Sequence, residues 1–309
     1  MKYGILDLGT NTFNLLIVKL QNNKLFKILY ENKIPVKLGK GGINKKIILS
    51  EAHQRAISAI KNHYKACNKF EVNKIIAFGT SGLRSAENSL ELIKEIEKYN
   101  IEINIIDGNR EAELIYKGIR LSLGLSDNPS LILDIGGGSC EFILCTNKNI
   151  LWKKSYNIGV ARMLMKFNPN DPITTKEINT IEKYLNIELN DLFIHLKKYK
   201  NIALIGSAGT FDTLSAMLKS ANKLDEIHQT YNLFSSGKLV FLYQKIIQST
   251  YNERLKMPGL PKYRAEYIVI AAILINFIIN KLQIKKIYHS IYSLKEGALA
   301  ELLEEYEIN

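Results

Sequence analysis

The chain has 309 residues, 46% of them hydrophobic and 23% charged, with 42 Lys plus Arg against 30 Asp plus Glu for a net charge of +12. That length exceeds what a single core usually fills, so two domains are expected, and the composition excludes wholesale disorder and fibrous or collagen-like folds. Three cysteines without C-x-x-C spacing (Cys67, Cys140, Cys145) and five scattered histidines support neither a disulfide framework nor a zinc cluster.

In chain order, the first third reads as strands Tyr3 to Leu8, Phe13 to Leu20 and Lys24 to Asn32, then a helix capped at Ser50 and running to about Phe70. Strand Lys74 to Phe78 follows, then a loop Gly79 to Ser85, a helix from Ser89 to Tyr99 and strand Glu102 to Ile106. A helix from about Arg110 to Ser122 ends at Gly124, a residue suited to the left-handed position after a helix. The turn-forming stretch Gly124 to Pro129 marks the expected boundary between domains 1–124 and 125–309, with the last helix packing back on the first domain.

The pattern then restarts with strands Leu131 to Ile135, Glu141 to Cys145 and Leu151 to Tyr156, and a later helix opens on the capping box Thr174-x-x-Glu177. Strand Ile202 to Ile205, the loop Gly206 to Thr210, and helices Phe211 to Leu218, Lys238 to Thr250 and Tyr263 to Asn280 come next. Strand Lys286 to His289 and a helix Leu294 to Tyr306 close the chain. The alternation predicts α/β layers, mixed sheets covered by helices. The apolar run Ile268 to Ile279, broken by Asn276, is too short to span a membrane and reads as a buried helix. No cleavable signal is visible ahead of Tyr3, so a cytoplasmic protein is expected.

Two segments repeat at an offset of 127 residues: DLGTNTFNLLI from Asp7 and DIGGGSCEFIL from Asp134. Each is an apolar strand ending in Asp, a glycine-rich turn and a second apolar strand. A strand-end Asp can hold a metal, and glycine lets backbone N–H groups come close to phosphate oxygens. Either copy alone reads as an ordinary Asp-Gly turn. As a pair near the start of each half they predict two loops facing one phosphate chain across a cleft, with one Mg²⁺. The basic net charge suits such a polyanion, although Lys, Asn and Ile abound throughout the chain.

These stretches, with GTSGLRSA from Gly79, GNREAELIYKGI from Gly108 and GSAGT from Gly206, resemble the exopolyphosphatase and guanosine pentaphosphate phosphohydrolase (Ppx/GppA) family of the actin-like ATPase superfold. Weaker family-like pieces stand at Pro258 (PGL) and Ser293 (SLKEG). The resemblance implies two actin-like, ribonuclease H-like domains around an interdomain cleft, in a short two-domain form that is a cytoplasmic homodimer. It also implies Mg²⁺-dependent hydrolysis of the terminal phosphoanhydride of inorganic polyphosphate, releasing orthophosphate, with no nucleic-acid or membrane partner.

By the same resemblance Glu111, near a helix start, is the general base. Asp134 and Glu141, seven residues apart across a tight hairpin, hold Mg²⁺ with retained waters. Asp7 is the symmetric metal candidate, acting through water, and its partner position carries the uncharged Asn14. Thr10, Asn11, Gly136, Gly137, Gly138 and Ser139 form the phosphate cradle, Arg84 takes two phosphate oxygens, and Gly209 and Thr210 touch distal phosphates. Arg254 and Arg264 either continue a basic track or are simply surface arginines.

The chain departs from the family pattern at Arg110, where the first Glu of a pair usually stands, and at Cys140, Ala208 and Lys295. Arg110 is expected either to bind phosphate or to depress the pKa of its neighbour Glu111, and Cys140 to serve packing. The nearest alternative is a guanosine pentaphosphate 5'-phosphohydrolase. A non-catalytic sensor of polyphosphate or guanosine tetraphosphate is kept because of Arg110. An ATP-dependent small-molecule kinase would need an acceptor pocket and an adenosine site, and the sequence points to neither.

Overall fold

A computed structural model describes residues 1–21 and 25–306. The first elements are β1 (Lys2–Leu8), β2 (Thr12–Leu20), β3 (Phe26–Pro35), α1 (Ser50–Lys69), β4 (Lys74–Gly79), α2 (Ser81–Arg84), α3 (Ser89–Glu97), β5 (Ile101–Ile105) and α4 (Gly108–Ser122). There follow β6 (Ser130–Ile135), β7 (Cys140–Cys145), β8 (Ile150–Tyr156), α5 (Val160–Phe167), α6 (Thr175–Glu188), α7 (Asn190–Leu196), β9 (Ala203–Ser207) and α8 (Ala208–Ser220). Last come β10 (Glu226–Ile227), β11 (Tyr231–Ser235), α9 (Ser236–Ile247), α10 (Tyr251–Arg254), α11 (Ile268–Leu282), β12 (Lys286–Ser290) and α12 (Leu294–Tyr306). The expected strand start at Lys24 lies outside the described residues. The chain divides into two compact units, Met1–Leu121 with Ser293–Asn309, and Ser122–Tyr292.

The first unit is built on a five-stranded mixed sheet ordered β3-β2-β1-β4-β5. β1, β2 and β3 form an antiparallel meander, and β4 and β5 add parallel to β1 through helical crossovers. Helix α1 lays Ala52, Ala56, Ile57, Ile60 and Cys67, spaced at helical period, into a core shared with Leu6, Leu8, Phe13, Leu15 and Ile17. The terminal helix α12 lies against β1 and β2.

Helix α12 also crosses α4 at a backbone-to-backbone approach. A Cβ added at Gly297 would stand 1.8 Å from the Leu114 carbonyl oxygen, and one added at Gly118 would stand 1.9 Å from that of Ser293. Only residues without a Cβ permit this spacing. Gly297→Ala is therefore expected to destabilise the protein by about 3 kcal/mol, since main chain cannot yield as a side-chain tip can. Urea unfolding checks this, and a midpoint unchanged from wild type would contradict it.

The second unit repeats the plan with an extension. Its seven-stranded sheet is ordered β10-β11-β12-β9-β6-β7-β8, in which β8, β7, β6, β9 and β12 reproduce the pairing senses of β3, β2, β1, β4 and β5. Strands β6 and β7 are buried along their whole length, and α11, buried at eleven of its fifteen positions, fills one side of the core. No described helix is long and apolar enough to cross a membrane.

The expected α/β architecture of two mixed sheets flanked by helices is the one found. Several local expectations change. Ser50 is the first residue of α1 rather than its cap, Leu49 occupying that position without a side-chain bond. Gly124 does not adopt the left-handed conformation. The expected loop Gly79 to Ser85 contains the single helical turn α2, and the expected loop Gly206 to Thr210 does not form, because β9 runs to Ser207 and α8 begins at Ala208. The capping box at Thr174 and Glu177 forms as read, each side chain bonding the other's backbone amide.

Candidate active site

The duplicated hairpin is the organising element of both units. In the first, Asp7 is register partner of Asn14, and the Gly9 amide closes the turn onto the Thr12 carbonyl at 3.1 Å. In the second, Asp134 is register partner of Glu141, and the Gly136 amide closes onto the Ser139 carbonyl at 3.0 Å. Side chains at register partners of an antiparallel pair share a face with Cβ atoms about 5 Å apart. The two copies therefore present the same pair of positions, amide and carboxylate in the first, two carboxylates in the second.

In the first unit, Asn14 Nδ2 donates to Asp7 Oδ2 at 2.7 Å. The turn residue Thr10 is buried and is closed in by Gly39 and Gly82, where an added Cβ would come within 2.7 Å and 3.0 Å of its side chain. Helix α2, absent from the sequence reading, thus packs directly on the loop and sets the position of Arg84 at its end. Arg84 Nη1 donates to the Ile106 carbonyl at 2.7 Å and to Glu111 Oε2 at 3.0 Å. Both bonds use one nitrogen, so Nε and Nη2 bond no described residue and remain available as a fork.

Glu111 lies in the first turn of α4 and is 7% exposed, at the end of a helix whose partial positive charge favours an ionised carboxylate. Asp107 starts this helix as a side-chain cap, its Oδ1 accepting from the Arg110 amide at 2.7 Å. Arg110 pairs with a residue that sequence reading did not indicate. Its Nη1 donates to Glu301 Oε1 of α12 at 2.7 Å, and its Nη2 bonds the other oxygen of that carboxylate. Lys117 Nζ joins Glu301 at 3.1 Å. Burial opposes the charge of Glu301, but the hydrogen bonds from Arg110 and Lys117 outweigh it and hold that carboxyl below the usual range. The charge of Arg110 thus fastens α4 to α12. Lys295 is likewise structural, pairing with Glu296 and, at 2.9 Å, with Glu31.

In the second unit, Asp134 and Glu141 are 6% and 1% exposed. Two hydroxyls that sequence reading did not identify hold them: Ser207 Oγ donates to Asp134 Oδ2 at 2.8 Å, and Ser155 Oγ to Glu141 Oε1 at 2.7 Å. Both follow from register, Ser207 being partner of Asp134 across β6 and β9, and Ser155 of Glu141 across β7 and β8. The amides of Gly137, Gly138 and Ser139 donate to no described residue. Beside them Thr210 Oγ1 donates to the Ile135 carbonyl at 3.2 Å, and Gly209 is overlain by Arg264, whose Nη2 would stand 1.7 Å from a Cβ there. Arg264 thus lies over the first turn of α8, whereas Arg254 is not a surface arginine. It is buried, donating to the carbonyls of Ala265 and Ser249 and, at 2.7 Å, to Asp171.

The donor set suits a hard divalent cation. Among the described residues no group of three or more His, Cys, Asp or Glu is arranged to hold a metal. An ion at Asp134 and Glu141 would draw its other ligands from water and bound phosphate, as Mg²⁺ does and structural zinc does not. All three cysteines are free and buried. Cys140 is fully buried, and burial raises the Cys67 thiol to about 11 and that of Cys145 to about 12, leaving both protonated and inert near neutrality.

Against known proteins, the model of the Ppx/GppA phosphatase family matches residues 16–306. A crystal structure of an exopolyphosphatase from Cytophaga hutchinsonii is 37% identical, covering 99% of this chain and 98% of that one with a TM-score of 0.94. Exopolyphosphatase 1 of Mycobacterium tuberculosis is 25% identical over 306 residues, 98% of this chain and 89% of its own length. A guanosine-5'-triphosphate,3'-diphosphate pyrophosphatase of Pseudoalteromonas translucida is 27% identical over 304 residues, 98% of this chain and 59% of its own length.

Proposed function

The chain belongs to the Ppx/GppA phosphatase family, and we propose that it hydrolyses the terminal phosphoanhydride of inorganic polyphosphate with Glu111 as general base. The observation that carries this reading is the Arg84 to Glu111 pair at 3.0 Å, in which one arginine nitrogen orients the carboxylate and the remaining fork is uncommitted. A base must be held in register with the water it deprotonates, and the same guanidinium can receive two oxygens of the phosphoryl group under attack.

In the proposed reaction Glu111 accepts a proton as water oxygen bonds to the terminal phosphorus. The bond from that phosphorus to the bridging oxygen breaks, and the shortened chain leaves with the electron pair. Arg84 takes charge that accumulates on the equatorial oxygens, and the amides of Gly137, Gly138 and Ser139 hold phosphate oxygens of the chain. Thr10 and Asn11 serve the same purpose from the first hairpin, and Gly209 and Thr210 meet more distal phosphates. Asp134 and Glu141, with Asp7 acting through water, would hold Mg²⁺, which when bound neutralises phosphate charge.

Guanosine pentaphosphate presents the same terminal bond, and the resemblance to a pyrophosphatase acting on that nucleotide makes it the second substrate to test. Phosphate release measured side by side on short polyphosphate, long polyphosphate and guanosine pentaphosphate, with and without Mg²⁺, decides the matter. Release from polyphosphate that requires Mg²⁺ is expected. Release from the nucleotide alone would move the substrate assignment, and release from none would contradict the proposal.

A further inference from the structure

The loop Gly136–Ser139 is aimed by the segment that follows β8. The Val160 amide donates to the Gly136 carbonyl at 3.0 Å, and those of Ala161 and Arg162 donate to the Gly137 carbonyl at 2.9 and 3.2 Å. Arg162 Nε then donates to the Gly138 carbonyl at 3.0 Å. Three successive carbonyls are thus fixed. In a planar trans peptide the carbonyl of one residue and the N–H of the next point in opposite directions. Fixing the carbonyls of Gly136, Gly137 and Gly138 therefore directs the amides of Gly137, Gly138 and Ser139 to the other side of the loop, all three together. Successive amides turned one way form an anion-binding concavity.

The approach requires Gly159. A Cβ there would lie 2.5 Å from the Gly137 carbonyl group and from Gly138 backbone, so any larger residue pushes the loop away from the amides that hold it. The first unit uses the same device independently. After β3 the amides of Val36 and Lys37 both donate to the Asn11 carbonyl at 2.9 Å, and that of Gly39 to the Thr10 carbonyl at 3.3 Å. There two carbonyls are held by main chain alone, with no counterpart to the Arg162 side chain in these bonds.

We infer that Gly159 and Arg162 are positioning residues for polyphosphate, holding the carbonyl side of the Gly136–Ser139 loop so that its amides meet the substrate preorganised. The inference rests on the proposed role of that loop. Its test uses the Glu111→Gln protein, in which turnover is held back, titrated with inorganic tripolyphosphate and Mg²⁺ by calorimetry. In that background Arg162→Ala and Arg162→Lys are each expected to raise Kd roughly ten- to hundred-fold, with little change in the ligand-free thermal midpoint. Gly159→Ala should raise it at least as far, and the two Arg162 variants carry the test if Gly159→Ala does not fold.

Arg162→Lys keeps the positive charge and removes the Nε donor. Tight binding retained by it alone would assign the effect to charge and overturn positioning. Kd unchanged in all three variants would overturn the inference and leave the loop's role standing. No binding by the Glu111→Gln reference protein would overturn the loop's role and the inference together.

Discussion

Glu111→Gln is expected to lower kcat for phosphate release by roughly 10²- to 10⁴-fold, the contribution of a positioned general base, while Kd for tripolyphosphate stays within a few-fold. Gln keeps the volume of Glu and an oxygen able to accept from Arg84 Nη1, so the local geometry survives. What is lost is the capacity to take a proton from water. Arg84 is a quarter exposed and can be solvated once its charged partner is gone, so the fold should tolerate the change. Rapid-quench phosphate assays beside calorimetric binding separate the two quantities. Turnover retained at wild-type rate would exclude Glu111 as the base and leave Arg84 as a simple ion-pair partner.

The second large effect is expected at Asp134. Asp134→Asn preserves shape and can still accept from Ser207 Oγ, but it removes one of the two charges proposed to hold Mg²⁺. Phosphate release should fall on the order of 10³-fold at fixed Mg²⁺, and the Mg²⁺ concentration giving half-maximal rate should rise, reflecting the several kcal/mol a metal ion supplies to charge stabilisation. The substitution also relieves repulsion between two carboxylates opposed across β6 and β7, so thermal stability without metal should hold or increase. A Mg²⁺ titration of activity checks the first statement and a thermal scan in EDTA the second. Wild-type Mg²⁺ dependence in the variant would remove Asp134 from the proposed metal site.

How much of this was legible beforehand depended on how local the cause is. The hairpins at Asp7 and Asp134 were readable because a glycine turn between two apolar strands fixes its own register, and the pairing of Asp134 with Glu141 follows from the count of residues between them. The capping box at Thr174 was readable for the same reason. Residues whose partners are remote in sequence were not. Ser207 reaches Asp134 only because β9 pairs beside β6, a pairing that periodicity alone does not specify. Arg110 meets Glu301 across 191 residues, a partner that its neighbours in sequence do not indicate.

Arg254 shows a related limit. A charged residue between turn signals reads as exposed, yet here two carbonyls and Asp171 satisfy it inside the unit. Helix α2 is one turn long, too short for any periodic signal, and it nonetheless sets Arg84. Gly159 carried no readable signal either. Its reason is the space taken by Gly137 and Gly138, remote in sequence, and a glycine that makes room for another backbone has no distinctive local pattern.

The most direct measurement of the central claim is turnover of inorganic tripolyphosphate with Mg²⁺ in ¹⁸O-labelled water. Attack by water at the terminal phosphorus predicts one labelled oxygen in each orthophosphate released, with the label absent from the remaining chain after a single turnover. Label found in the chain fragment instead would contradict attack at the terminal phosphorus, and bound tripolyphosphate that yields no orthophosphate would contradict hydrolysis of the terminal phosphoanhydride.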